Sequence, residues 1–102
     1  MTEFRAFLDR LHSAADIVEV VGQYVPLKRS GTYFKGLCPF HKEKTPSFMV
    51  SREKQLFHCY GCGVGGDVIS FVQKQERLEF RDAVELLAQR FQLPVPRFRR
   101  AE

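Results

Sequence analysis

The sequence predicts an α+β domain in which a small antiparallel β-sheet is flanked by short α-helices and stapled at its turns. Three observations predict it. The middle of the chain carries short β-prone runs separated by turn residues, while both ends carry apolar residues at helical spacing. Cys38-Pro39-Phe40-His41 and Cys59-Tyr60-Gly61-Cys62 form the pattern C-x2-H-x17-C-x2-C. A chain of 102 residues buries a limited core and commonly needs such a staple.

The elements follow in order. Residues 2–14 are predicted to form an amphipathic helix, with Thr2 as N-cap and Phe4, Phe7, Leu8 and Leu11 at helical spacing. His12 is expected on its surface. Asp16-Ile17-Val18-Glu19 is a D-x-x-E variant of the capping box, and Gly22 is placed to close that short helix in a left-handed conformation. Val25 to Arg29 and Tyr33 to Cys38 are expected strands, joined by a turn at Ser30-Gly31-Thr32. Pro46 opens a third strand, Ser47 to Ser51, and the Arg52-Glu53-Lys54 turn leads to a fourth, Gln55 to Cys59. The two Cys/His pairs then sit at the turns of the sheet, which is zinc-ribbon architecture. Gly65-Gly66-Asp67 starts a helix with Asp67 as N-cap and Val68, Ile69, Phe71 and Val72 as its buried face. A last helix is predicted from about Glu79 to Phe91, with Phe80, Ala83, Val84, Leu87 and Phe91 on one side, stopped by Leu93-Pro94-Val95-Pro96. Residues 1–93 form the domain. Residues 94–102, with Arg97-Phe98-Arg99-Arg100, read as the start of a linker.

The Cys/His pattern points to structural zinc. Two pairs of soft ligands, each pair two residues apart, suit a four-coordinate site, and Gly61 and Gly63 let the backbone fold closely around the second pair. Other readings fit less well. A disulfide framework leaves one thiol over, and no signal-like segment stands at the N-terminus. A redox pair at Cys59 and Cys62 leaves Cys38 and His41 unexplained. A catalytic zinc keeps an open position, whereas four ligands close the tetrahedron. His58 neighbours Cys59 but points to the opposite face of the predicted strand, so it is not counted as a ligand. Zinc binding worth about 10–16 kcal/mol in comparable peptides implies that the metal-free chain loses at least its central region.

Charge is uneven. The chain nets +4, and residues 28–54 hold seven basic and two acidic residues, a net charge of +5. Tyr33, Phe34, Phe40 and Phe48 are interleaved with them, followed by Phe57 and Tyr60. Cations with aromatic faces suit single-stranded nucleic acid, although the same pattern also describes a solvated basic surface over an aromatic core. Two-metal phosphoryl transfer needs clustered carboxylates, but Asp9, Asp16, Asp67 and Asp82 are isolated in sequence. There is no G-x-x-x-x-G-K-[ST] loop. No apolar run is long enough to span a membrane, and reduced cysteines without an export signal lead to the expectation of a cytoplasmic protein.

The run from Cys38 to Phe48, CPFHKEKTPSF, followed by Phe57-His58-Cys59-Tyr60-Gly61-Cys62-Gly63, closely resembles the N-terminal zinc-binding domain of bacterial DnaG-type DNA primases. The likeness extends to Ala15–Glu19, Leu27-Lys28-Arg29 and Gly65-Gly66, covering roughly residues 10–93. The resemblance implies a domain that helps recognise the initiation site on single-stranded template DNA for RNA primer synthesis. It also implies that Mg2+-dependent nucleotidyl transfer belongs to a polymerase domain absent from this chain. The isolated chain is then expected to be inactive. The family's zinc ligands fall on Cys38, His41, Cys59 and Cys62. Its template surface falls on Lys28, Arg29, Lys44, Phe48, Arg52, Lys54 and Phe57, with Lys28, Arg29, Lys54 and the Phe57 ring expected on one side of the sheet. Thr32 stands where the family often has a basic residue, and Lys35 is the candidate replacement. Implied partners are the template, the polymerase domain and a replicative helicase, in a cytoplasmic replisome and not at a membrane. The alternative is a protein-interaction ribbon that docks on the polymerase domain or the helicase.

Overall fold

Consecutive strands pair throughout an antiparallel sheet of order β1-β2-β3-β4-β5: β1 (Lys28–Ser30), β2 (Tyr33–Gly36), β3 (Phe48–Ser51), β4 (Leu56–Cys59) and β5 (Gly65–Gly66). Helices α1 (Thr2–Ala14) and α2 (Ile17–Gly22) precede it, and α3 (Val68–Glu76) and α4 (Phe80–Arg90) follow. This computed structural model describes residues 2–42 and 44–95, with the Thr2 side chain outside that set. The expected linker therefore lies, from residue 96 onward, outside the described residues. No helix among the described residues is long and apolar enough to cross a membrane.

Register decides which side of the sheet is covered. Phe34, Val50 and Phe57 lie opposite one another on three strands, and Phe48 pairs with Cys59. Alternate residues share a face, so these side chains all point the same way. Val50, Phe57, Phe48 and Cys59 join Ile17, Val20 and Val21 of α2 and Ile69, Phe71 and Val72 of α3 in one core. Phe71 is its hub, with ring centroids 5.6 Å from Phe40 and Phe57, 5.7 Å from Tyr24 and 6.1 Å from Phe48. Phe7 and Leu11 of α1 and Ala83, Val84, Leu87 and Ala88 of α4 complete it.

Several elements differ from expectation for local reasons. Gly22 is the last residue of α2 and is not left-handed. The chain leaves through Gln23 at φ −75°, and the N–H groups of Tyr24 and Val25 both return to the Val21 carbonyl, continuing a right-handed turn. β1 starts three residues late because the Val25 N–H is already taken and Pro26 has none to give. β2 ends at Gly36, where a Cβ would meet the Pro26 carbonyl at 2.8 Å. The fifth strand is two glycines, with no side-chain pattern to announce it. Phe80 begins α4 and is 44% exposed, outside the buried stripe. His12 is more than a surface residue: Nδ1 lies 3.0 Å from the Leu8 carbonyl and Nε2 3.2 Å from Asp67, joining α1 to the start of α3.

Both predicted aspartate caps form. Asp67 accepts from the Ser70 N–H at 2.9 Å. Asp16 accepts from the Glu19 N–H, from Arg52 and from Gln55, tying the start of α2 to the β3–β4 turn. Gln55 also accepts from the Ile17 N–H at 2.9 Å, from a backbone at φ +55°. Burial would raise the Asp16 pKa, but the Arg52, Gln55 and Glu19 hydrogen bonds outweigh it and hold the carboxyl below the ordinary 3.8. A depressed carboxylate contributes stability above its unfolded value and loses it as pH falls through the folded one. Asp16→Ala is therefore expected to cost about 1–2 kcal/mol at neutral pH. The gap from wild type should hold down to about pH 5 and shrink only below it. Urea unfolding of both proteins across that range tests this; a gap that closes between pH 7 and 5 contradicts it.

Candidate metal centre and nucleic-acid face

Two tight turns bring the Cys/His pairs together. Cys38 and His41 follow the end of β2, while Cys59 ends β4 and Cys62 lies in the turn after it. That second turn closes with the Gly63 N–H on the Cys59 carbonyl at 2.7 Å, and Gly63 sits at φ +85°, where glycine is favoured. The donor atoms of Cys38, His41, Cys59 and Cys62 all lie within 4.8 Å of one another, and the Cys38 and Cys62 sulfurs are 3.9 Å apart. Sulfur at about 2.3 Å and nitrogen at about 2.0–2.1 Å from a tetrahedral zinc are separated by about 3.5–3.8 Å, so the cluster is close to the size such an ion needs.

The electrostatics point the same way. Burial pushes the Cys38 thiol up to about 12; the Cys59 and Cys62 thiols add to this, and the Phe40 N–H opposes it. Burial also disfavours the Cys59 thiolate, yet hydrogen bonds from Ser47, the Cys62 and Gly61 N–H groups and Cys38 hold that thiol below its ordinary value. Backbone N–H groups already aim at sulfur, and the Phe40 N–H reaches Cys38 Sγ at 3.4 Å. Three thiols this close cannot all ionise without a cation, and a divalent ion turns their repulsion into coordination. The residues present fit zinc. His58 is exposed on the opposite face from Cys59 and lies outside the cluster.

The expected nucleic-acid residues do not share one side. Phe48 is 0% and Phe57 2% exposed; strand parity puts both on the helix-covered face with Cys59, so neither ring is open to a base. Arg29 is in register with Phe34 on that same face, exposed at its edge. Arg52 is engaged, bonded to Asp16 at 3.1 Å with its guanidinium over the Phe34 ring at 5.3 Å. Lys44 is exposed in the loop after His41.

The open face carries a different set. One cross-strand row runs Lys28, Lys35, Met49, His58 and Gly65, and the next runs Ser30, Tyr33, Ser51 and Leu56. Lys54 and Tyr60 flank these rows. Lys35 lies in the same row as Lys28. Tyr33, His58 and Tyr60 are absent from the predicted surface, although parity counted from an inward Cys59 would have placed His58 outward.

The comparisons agree with this geometry. Residues 4–102 match the CHC2 zinc finger family. A DNA primase of Pseudomonas aeruginosa is 50% identical over 93 residues, covering 91% of this chain and 14% of that protein. One from Listeria monocytogenes is 51% identical over 88 residues, covering 86% and 14%. Both relatives are thus far longer than this chain. A crystal structure of the Aquifex aeolicus primase, comprising zinc-binding and RNA polymerase domains, superposes with a TM-score of 0.84 at 42% identity, covering 88% of this chain and 22% of that one. With agreement in sequence and structure along nearly its whole length, the chain belongs to the CHC2 zinc finger family, as a zinc-binding domain of the DnaG-type DNA primases.

Proposed function

We propose that this chain is the template-recognition module of a DNA primase. One structural zinc, held by Cys38, His41, Cys59 and Cys62, fixes the ribbon. The open face of the sheet binds single-stranded DNA and helps select where a primer starts. Nucleotidyl transfer with Mg2+ belongs to a polymerase domain in the longer protein, and the isolated chain makes no primer. The replicative helicase and the cytoplasmic replisome are the setting this reading gives the whole protein.

The observation that carries the reading is the open face itself. Lys28 and Lys35 stand in one row across adjacent strands, Lys54 lies at the strand end, and Tyr33 and Tyr60 offer rings beside them. Cations there can track phosphates while rings stack on bases. Affinity for single-stranded oligonucleotides should fall steeply with salt. Charge reversal at Lys28 should weaken all sequences and flatten the salt slope by about 0.7, as for one lost phosphate contact. Anisotropy titrations at several salt concentrations test this. A normally folded Lys28→Glu protein with wild-type affinity and slope contradicts it.

A second reading has its own observation. A cleft of about 470 Å³ is lined mainly by Val25, Pro26, Leu27, Leu37, Pro39 and Pro46, with Leu37 47% exposed and with Lys28 and Lys35 also on its lining. Such an apolar surface suits docking on a polymerase domain or helicase, and the two readings can coexist. Its signature is a partner contact that outlasts the salt concentration at which DNA binding is lost.

A further inference from the structure

We infer that the recess bounded by Tyr33, Lys54, His58 and Tyr60 is a base pocket that takes one unstacked nucleobase of the single strand, and that His58 determines which base is accepted. This rests on the DNA reading above and assigns its sequence selectivity to one place.

The recess has a volume of about 340 Å³. That is near the lower end of the roughly 300–1,000 Å³ typical of ligand pockets, so it suits a single ring system more than a folded segment. Met49 and Leu56 give it apolar surface. Tyr60 remains 73% exposed, so burial gives little reason for an aromatic ring there. Its position is nevertheless defined: the His58 and Tyr60 rings meet edge to face, centroids 4.5 Å apart at 67°. His58 also rests against β5. A Cβ at Gly65 would lie 3.1 Å from His58 Nδ1 and 3.0 Å from the Phe57 carbonyl, so glycine makes room for the imidazole there.

Hydrogen-bonding capacity is in place. Among the described residues, no hydrogen bond occupies the His58 ring nitrogens or the Tyr33 and Tyr60 hydroxyls. An imidazole with a donor or acceptor edge free can distinguish base edges, whereas a ring face stacks on any base. Lys54 at the rim and the Lys28–Lys35 row leading toward His58 supply the sequence-independent part. Phosphate contacts position the strand and base contacts specify it, and this face separates the two roles between different side chains.

The test uses the zinc-loaded chain and fluorescein-labelled heptanucleotides carrying each of the four bases at successive positions, read by anisotropy. Wild type is expected to prefer one base at one position by about tenfold. His58→Ala should erase that preference while changing the affinity of the least favoured sequences by no more than about twofold. Tyr60→Ala should weaken every sequence about tenfold, and Tyr60→Phe should restore most of that loss. Both side chains flank Cys59, so zinc content and melting temperature are measured on each variant, with His58→Asn read in place of any His58→Ala protein that loses metal. Wild type that binds without base preference, or a folded His58 variant that keeps it, overturns the pocket and leaves the sheet face standing. Wild type that does not bind DNA overturns the face and the pocket together.

Discussion

Replacing Cys59 with serine, or removing zinc with a chelator, is expected to unfold the sheet. Cys59 is fully buried at the end of β4, paired with Phe48, and its sulfur collects hydrogen bonds from Ser47 and from two backbone N–H groups. The chain from Cys38 to Cys62 contains the whole of β3 and β4, so the metal closes the loop that holds the central ladder. Zinc binding of about 10–16 kcal/mol equals or exceeds the 5–15 kcal/mol that stabilises a typical domain, so losing it leaves little to hold the fold. Circular dichroism and thermal melting before and after chelation, with dye-monitored zinc release, measure it. One zinc per chain and a lost or strongly lowered transition are expected. Metal-free protein with an unchanged melt contradicts the structural role.

The second large effect lies away from the metal. Phe71→Ala should cost about 3–5 kcal/mol, because the ring is fully buried and touches Tyr24, Phe40, Phe48 and Phe57. Those contacts join α3 to the sheet and to the loop between Cys38 and His41. Removing the ring leaves a cavity where helix, strand and ligand loop meet. Phe80→Ala is the control: at 44% exposure it should change stability by no more than about 0.5 kcal/mol. Denaturant midpoints of the zinc-loaded variants decide. A cost below about 1.5 kcal/mol for Phe71→Ala shows that the surrounding rings close the gap.

The parts legible in the sequence were those fixed by short-range chemistry. Cys/His spacing announced the metal cluster, Asp16 and Asp67 announced two helix starts, and apolar periodicity announced the four helices. Gly31, at φ +63°, turns between β1 and β2 as expected. What failed depends on pairing between distant segments. Phe48 and Phe57 look like stacking rings until the register of Phe48 with Cys59 and of Phe57 with Val50 puts them under the helices. Arg52 looks like a free cation until Asp16, thirty-six residues earlier, arrives to engage its guanidinium. β5 has no side chains from which a strand could be inferred. The apolar cleft beside Leu37 likewise depends on the folded arrangement and not on any local motif.

The reading of the sheet as a DNA platform is tested most directly by nuclear magnetic resonance titration of the 15N-labelled, zinc-loaded chain with single-stranded oligonucleotides. Shift changes concentrated on Lys28, Tyr33, Lys35, Lys54, His58 and Tyr60, weakening as salt rises, are the predicted result. Changes confined to Val25, Leu27 and Leu37 or to α4, or no changes at all, would contradict it.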